Sequence, residues 1–161
     1  MDSHEHTNHL LQTLADSLGL TGDDALALQL DENNECFITL DERIPVLFYL
    51  DDQTNVLILN IPLGAMPTDE GRTSLMYELL CANYSWNLTE GGTLGIDRET
   101  GLITLSYLIE LPLDPLERIS DIIDKLTAVA EHWMREIKES SSEEAELSSS
   151  MHGMRDLLFR A

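Results

Sequence analysis

The spacing of apolar residues switches between the period of a helix and the period of a strand along this chain. Leu10, Leu11, Leu14 and Leu18 recur every three or four residues, which predicts an amphipathic helix capped by Thr7 or Asn8 and closed by Gly19. Period two follows. Leu26, Leu28 and Leu30 alternate, as do Cys36, Ile38 and Leu40, with the polar cluster DENNE between them, so both runs are expected as paired strands. IPVLFYL at 44–50 and NVLILNI at 55–61 continue the pattern across DDQTN, and Pro45 confines its run to a sheet edge or a strand start.

After PLGAMP the helical period returns. Thr68 as cap, Asp69 and Glu70 in the first turn, and a stripe of Leu75, Met76, Leu79 and Leu80 predict a second helix over roughly 69 to 83. GGTLGIDRETGLITLSY then supplies two alternating runs around 97–101, a loop length that fits a hairpin with glycine last. The final helix is the best marked, with Asp114 as cap, Pro115 at its first position and Glu117 completing a capping box. Its apolar face is Leu116, Ile119, Ile123, Leu126, Ala130, Trp133 and Ile137.

Ser and Glu dominate 139–150, which reads as a linker, and 151–161 places Met154, Leu157 and Leu158 on a short amphipathic tail. The expected organisation is thus a domain over 1–138, a linker over 139–150 and a tail over 151–161. Helix, strands, helix, hairpin, helix describes an α+β fold: a twisted, antiparallel-rich sheet with three helices.

Charge narrows the partners. Thirty Asp and Glu against nine Lys and Arg give a formal net charge of −21, which repels nucleic acid and anionic membrane. No apolar run reaches the length of a membrane span, and the N-terminus lacks the basic start of a signal peptide. Cys36 and Cys81 sit within apolar periodic segments, as packed thiols in a reducing compartment do.

Candidate chemistry is sparse. Asp97 and Glu99 lack the D-x-D-x-D-G series of a calcium loop and read as a solvated turn. His4, His6 and His9 cluster near the terminus without thiolate or carboxylate ligands at zinc spacing; His132 and His152 are isolated. No metal site, catalytic set or cofactor is expected, and the pattern favours a binding protein over an enzyme. The alternative is an acidic inhibitor mimicking nucleic acid, whose carboxylates would need to align along one face, or another small dimeric protein-binding module.

LLQTLADSLGL, ECFITLDERIPVLFYL, NIPLG, LMYELLCANY, GGTLGIDRETGLITLSYLIEL and AEHWMREI occur in an order that resembles the class I chaperones of type III secretion, the Tir-chaperone (CesT-like) family. The likeness covers residues 7 to about 138 and departs after 139. It implies a homodimeric, ATP-independent virulence chaperone of the bacterial cytoplasm. Such a chaperone binds the N-terminal segment of secreted effectors in extended form, and the secretion-apparatus ATPase is a further candidate partner. Projected onto this chain, the effector groove falls on Leu10, Leu14, Leu18, Leu28, Leu30, Ile38, Phe48 and Leu50. The dimer seam falls on Leu75, Met76, Leu79, Leu80 and Trp86.

Overall fold

Helix α1 starts upstream of its expected cap, spanning Ser3–Ser17, so Thr7 and Asn8 lie within it. The Thr7 hydroxyl donates to the Ser3 carbonyl at 2.8 Å, and Asn8 reaches out of the helix instead. At the other end Gly19, with φ at 68°, lets Leu20 N–H reach the Ala15 carbonyl at 2.9 Å and Gly19 N–H reach that of Asp16 at 3.2 Å. This pair of bonds is a Schellman closure. The computed structural model describes residues 3–68 and 71–158.

The alternating run Leu26, Leu28, Leu30 is not a strand. Its first part is the short helix α2, Asp23–Ala27, and the rest is irregular, with Leu28 and Leu30 buried and Leu26 exposed. The backbone bond a neighbouring strand would have supplied comes from α1: Leu30 N–H donates to the Asn8 side-chain oxygen at 3.0 Å. Alternation therefore matched burial at Leu28 and Leu30, not at Leu26, and predicted pairing wrongly, because a side chain satisfied the backbone.

Five strands follow the expected antiparallel pattern: β1 Glu35–Leu40, β2 Ile44–Asp51, β3 Val56–Ala65, β4 Thr93–Ile96 and β5 Leu102–Glu110, in the order β1-β2-β3-β5-β4. Pro45 is the second residue of β2, and the ladder to β3 runs only from Leu47 to Asp51, as expected where a residue has no N–H to contribute. Between β3 and β4 lies α3, Gly71–Ser85.

The last helix, α4, runs from Arg118 to Leu158. It begins three residues later than its capping box predicts, because Pro115, Leu116 and Glu117 first accept three-residue turn bonds from Arg118, Ile119 and Ser120. Helix continues through 139–158 without a break. Side chains of the 151–161 tail, on which its amphipathic reading rests, lie outside the described residues.

The fold is α+β, with four helices among the described residues where three were expected. Helix α4 lies against β3 and β2, α1 against α4, and α3 against α4 and β4. Between them sits one apolar core, with Phe48, Leu57, Leu59, Ile61, Ile103 and Leu105 from the sheet meeting Leu10, Leu14, Ile119, Ile123, Leu126 and Trp133 from the helices. Trp133 also donates its indole N–H to the Leu88 carbonyl at 3.4 Å, fixing the loop after α3. Burial on this scale is what holds a domain of this size, at about 25 cal/mol per Å² of apolar surface removed from water.

The charged tip between β4 and β5 is a turn. One Asp97 carboxylate oxygen accepts from the Glu99 N–H at 2.8 Å, the Thr100 N–H at 2.7 Å and the Thr100 hydroxyl at 3.0 Å. Gly101, at φ 69°, closes the loop. Led by the Thr100 backbone bond, these contacts hold the Asp97 carboxyl below its ordinary 3.8. Asp31 and Asp51 are lowered in the same direction by turn bonds of their own, Asp31 chiefly from the Glu35 N–H and Asp51 chiefly from the Thr54 hydroxyl.

A depressed folded-state pKa contributes stability above the unfolded value of about 4, lost as pH falls through the folded one. Hence the stability advantage of the wild type over Asp97→Asn is expected to be full at neutral pH and to shrink progressively below about pH 4. Urea titrations of both proteins at neutral and acid pH measure it. An advantage that grows on acidification contradicts the assignment.

Candidate protein-binding surfaces

Helix α3 is apolar on two sides, and the two sides do different things. Leu75, Leu79 and Ala82 are buried against the subunit's own core. Met76, Tyr77, Leu80 and Tyr84 share the opposite face, with Leu80 68% and Tyr84 93% exposed. Trp86 and Leu88 extend that exposed surface beyond the helix end. The expected seam residues are therefore divided: Leu75 and Leu79 point inward, while Met76, Leu80 and Trp86 point out. Exposed apolar surface of this kind is what interaction sites present.

The two thiols divide likewise. Cys36 is buried, and burial, followed by the nearby Asp31 carboxylate, pushes its pKa up to about 12; it packs as a small apolar side chain. Cys81 is exposed on α3.

A second open surface is the side of the sheet away from α1 and α4. Because side chains alternate across a strand, the register assembles residues from four strands into rows. Phe37 lies opposite Leu47, and Tyr49, Ile58 and Leu108 follow one another across β2, β3 and β5. Phe37, Leu47, Tyr49 and Leu108 are exposed. Glu35 lies beside Tyr49 at one margin, and Asp51, Val56 and Glu110 form the next row.

The edges of the sheet are unequal. On β4, Leu94 turns its backbone outward, and the Asn83 side-chain amide from α3 satisfies both groups: it accepts from Leu94 N–H at 2.8 Å and donates to Leu94 C=O at 2.9 Å. That amide occupies the place of a neighbouring strand. On β1, Leu50 N–H donates to the Asn34 carbonyl at 2.9 Å, which sets the alternation so that Glu35, Phe37 and Thr39 face away from β2. Glu35 is sealed by Asp31, whose N–H donates to the Glu35 carbonyl at 2.8 Å and whose carboxylate accepts the Glu35 N–H at 2.9 Å. Phe37 and Thr39 remain as the outward-facing backbone of β1.

The expected groove residues differ in burial. Leu10, Leu14, Leu28, Leu30, Phe48 and Leu50 are in the core, Ile38 is half-buried on its margin and Leu18 is exposed at the end of α1. Sequence reasoning did not single out Phe37, Leu47, Tyr49 and Leu108. For Leu47 and Tyr49 a signal was present, because they are apolar residues at the fourth and sixth positions of IPVLFYL, which a strand buried on one face only would leave polar.

Among the described residues no group of three or more His, Cys, Asp and Glu is placed to hold a metal ion. His4 and His6 lie apart in role, His6 accepting from the Leu113 N–H at 3.1 Å. No helix there is long and apolar enough to cross a membrane.

Comparison with known proteins gives this geometry a family. Among solved structures, the "ExsC-ExsE Complex" contains a chain 26% identical to this one, covering 85% of this chain and 97% of its own, with a TM-score of 0.70. The "HopA1-SchA Chaperone-Effector Complex" matches at 21% identity, 85% and 96% coverage and a TM-score of 0.62. The ExoT-SpcS complex from Pseudomonas aeruginosa matches at 18%, 82% and 98% coverage and 0.54. These last two bear on the fold alone. No curated protein matches the sequence significantly. The model of the Tir chaperone protein (CesT) family matches residues 9–134, and the chain belongs to that family, the effector-binding chaperones of type III secretion.

Proposed function

We propose that this chaperone works without ATP and receives the N-terminal segment of a secreted effector in extended form along the β1 edge and across the open side of its sheet. The observation that carries this reading is the pairing of an open edge with an apolar floor. Phe37 and Thr39 can offer backbone bonds to an added strand, while Phe37, Leu47, Tyr49, Ile58 and Leu108 can receive alternate apolar side chains. Backbone bonds supply affinity in such recognition, and side-chain pockets supply selectivity. Ile38, on β1 itself, and the exposed Leu18 remain candidate contacts from the expected groove set.

An extended guest also explains the need for both components. Ordering a disordered segment costs roughly 2–5 kcal/mol of the gross interaction energy, which a few edge hydrogen bonds do not offset alone. Several filled apolar positions, each contributing about 1 kcal/mol or more, do.

Two copies pair, in this proposal, through the exposed face of α3. Each then keeps its β1 edge free, because Asn83 ties α3 to the opposite end of the sheet. The acidic surface keeps such a complex soluble in the bacterial cytoplasm, and the secretion ATPase is the partner expected to receive it.

Co-purification of the chaperone from its native cells, followed by hydrogen exchange with and without the captured guest, tests the edge assignment. Amides of Phe37 and Thr39 are expected to slow sharply on guest binding, with Leu94 unchanged. Equal exchange at Phe37 and Thr39 in both states rejects strand addition at β1.

A further inference from the structure

Basic residues are scarce here, nine in 161, yet three of them line one cleft. Arg43, Arg135 and Lys138, with Ile44, Glu131 and Met134, enclose about 480 Å³ between the start of β2 and α4. Residues 131, 134, 135 and 138 recur at three- and four-residue spacing and so share one face of the helix. The cleft lies on the helix-covered side of the sheet, apart from the surface proposed for the effector.

Both walls are positioned by the fold. Arg43 ends a tight turn in which its N–H donates to the Leu40 carbonyl at 3.0 Å, and Asp41 and Glu42 both hold positive φ, 49° and 56°. Positive φ at both central residues is the geometry of a tight two-residue hairpin turn. Across the cleft, one Arg43 nitrogen meets a Glu131 carboxylate oxygen at 2.7 Å, with both side chains largely exposed. Ile44 is buried at the base and Met134 half-buried beside it. A methionine there can adapt to a visiting apolar side chain.

We propose that this cleft docks a short acidic peptide segment of a protein partner. One apolar side chain of the segment rests on Met134, while its carboxylates engage Arg135 and compete with existing partners for Arg43 and Lys138. Net charge does not forbid this. At physiological ionic strength charges beyond about 8 Å are largely screened, so a short segment responds to the local cations. A long polyanion would also meet Glu131 and the carboxylates that flank Arg43 and Lys138 in sequence, Asp41, Glu42 and Glu139, and an apolar wall suits a side chain better than a phosphate. Guanidinium groups favour planar carboxylates in bidentate geometry.

Fluorescence anisotropy with the full-length protein tests the proposal, using a short fluorescein-labelled peptide of interspersed Glu and Leu. Saturable binding is expected, weakened roughly tenfold or more by the paired changes Arg135→Glu and Lys138→Glu. Arg98→Glu, at the distant β4–β5 tip, is expected to bind like the wild type. Glu131→Gln is expected to tighten binding by releasing Arg43. Because the altered side chains lie on the surface, unchanged circular dichroism verifies that each variant is folded. Absence of saturable binding, equal binding by the double variant, or weaker binding by Glu131→Gln overturns the assignment. A single-stranded oligonucleotide that binds through Arg135 and Lys138 where the peptide does not would also overturn it, in favour of a phosphate ligand. None of these outcomes bears on guest capture at β1, which hydrogen exchange reads separately.

Discussion

Leu80→Asp is expected to halve the mass of the protein in solution while leaving the subunit folded. Leu80 is 68% exposed within a single chain and shares its face of α3 with Met76, Tyr77 and Tyr84. In a two-fold pair the same surface serves both partners, so one substitution enters the seam twice. Each aspartate loses apolar burial and brings a carboxylate into a dehydrated contact, at about 2–4 kcal/mol per copy for a central interface position. The sum exceeds what a seam of ordinary size holds in reserve. Light scattering measures it directly. A wild type that is already monomeric, or a variant of unchanged dimer mass, rejects pairing through α3.

Leu79, one residue away, is the wrong probe. At 4% exposure it packs within its own subunit, and aspartate there would damage the fold whether or not the protein pairs. Cys81 offers an independent check, since its thiol is exposed in the single chain and pairing through α3 should slow its alkylation.

Leu14→Asp and Leu47→Asp are expected to separate folding from guest capture. Leu14 is 0% exposed, beneath α1 in the core. Losing a buried leucine removes roughly 2–5 kcal/mol, and an unpaired carboxylate in its place adds several more, against a total stability of about 5–15 kcal/mol for a domain. Leu14→Asp should therefore be unfolded or insoluble, and its failure to bind a guest would say nothing about binding. Leu47 lies on the open side of the sheet opposite Phe37. Its replacement should shift stability by only about 1 kcal/mol yet weaken guest binding roughly ten- to a hundredfold. Circular dichroism and affinity for the co-purified guest distinguish the two. Undiminished affinity in a folded Leu47→Asp removes the open sheet face from the guest site.

Turn chemistry was the most legible part of the fold. Gly19 closed α1 where its spacing indicated, and Asp97 with Gly101 built the β4–β5 turn. Both outcomes follow from local sterics and short-range bonds, which neighbouring residues determine among themselves. The run Leu26 to Leu30 failed for the converse reason. Its alternation was real, but whether a strand, a helix or one asparagine would satisfy its backbone depended on Asn8, more than twenty residues away.

The surfaces were legible only in part. That α3 carried an apolar stripe was evident from Leu75, Met76, Leu79 and Leu80. Which of them faced inward was not, because periodicity identifies a face without naming what covers it. The same holds for Phe48 and Leu47, neighbours in one apolar run that β2 sends to opposite sides of the sheet, one into the core and one to solvent.

By itself, then, the sequence determined the helical and strand periods, the hairpin turns, the antiparallel α+β class and the family. All are encoded within short windows or in the order of such windows. Only the tertiary structure decided that Asn83 seals one edge while Phe37 and Thr39 leave the other open, that α3 divides between core and surface, and that Arg43 meets α4. Those outcomes depend on which distant segments come to lie side by side, and burial and backbone pairing are properties of that arrangement.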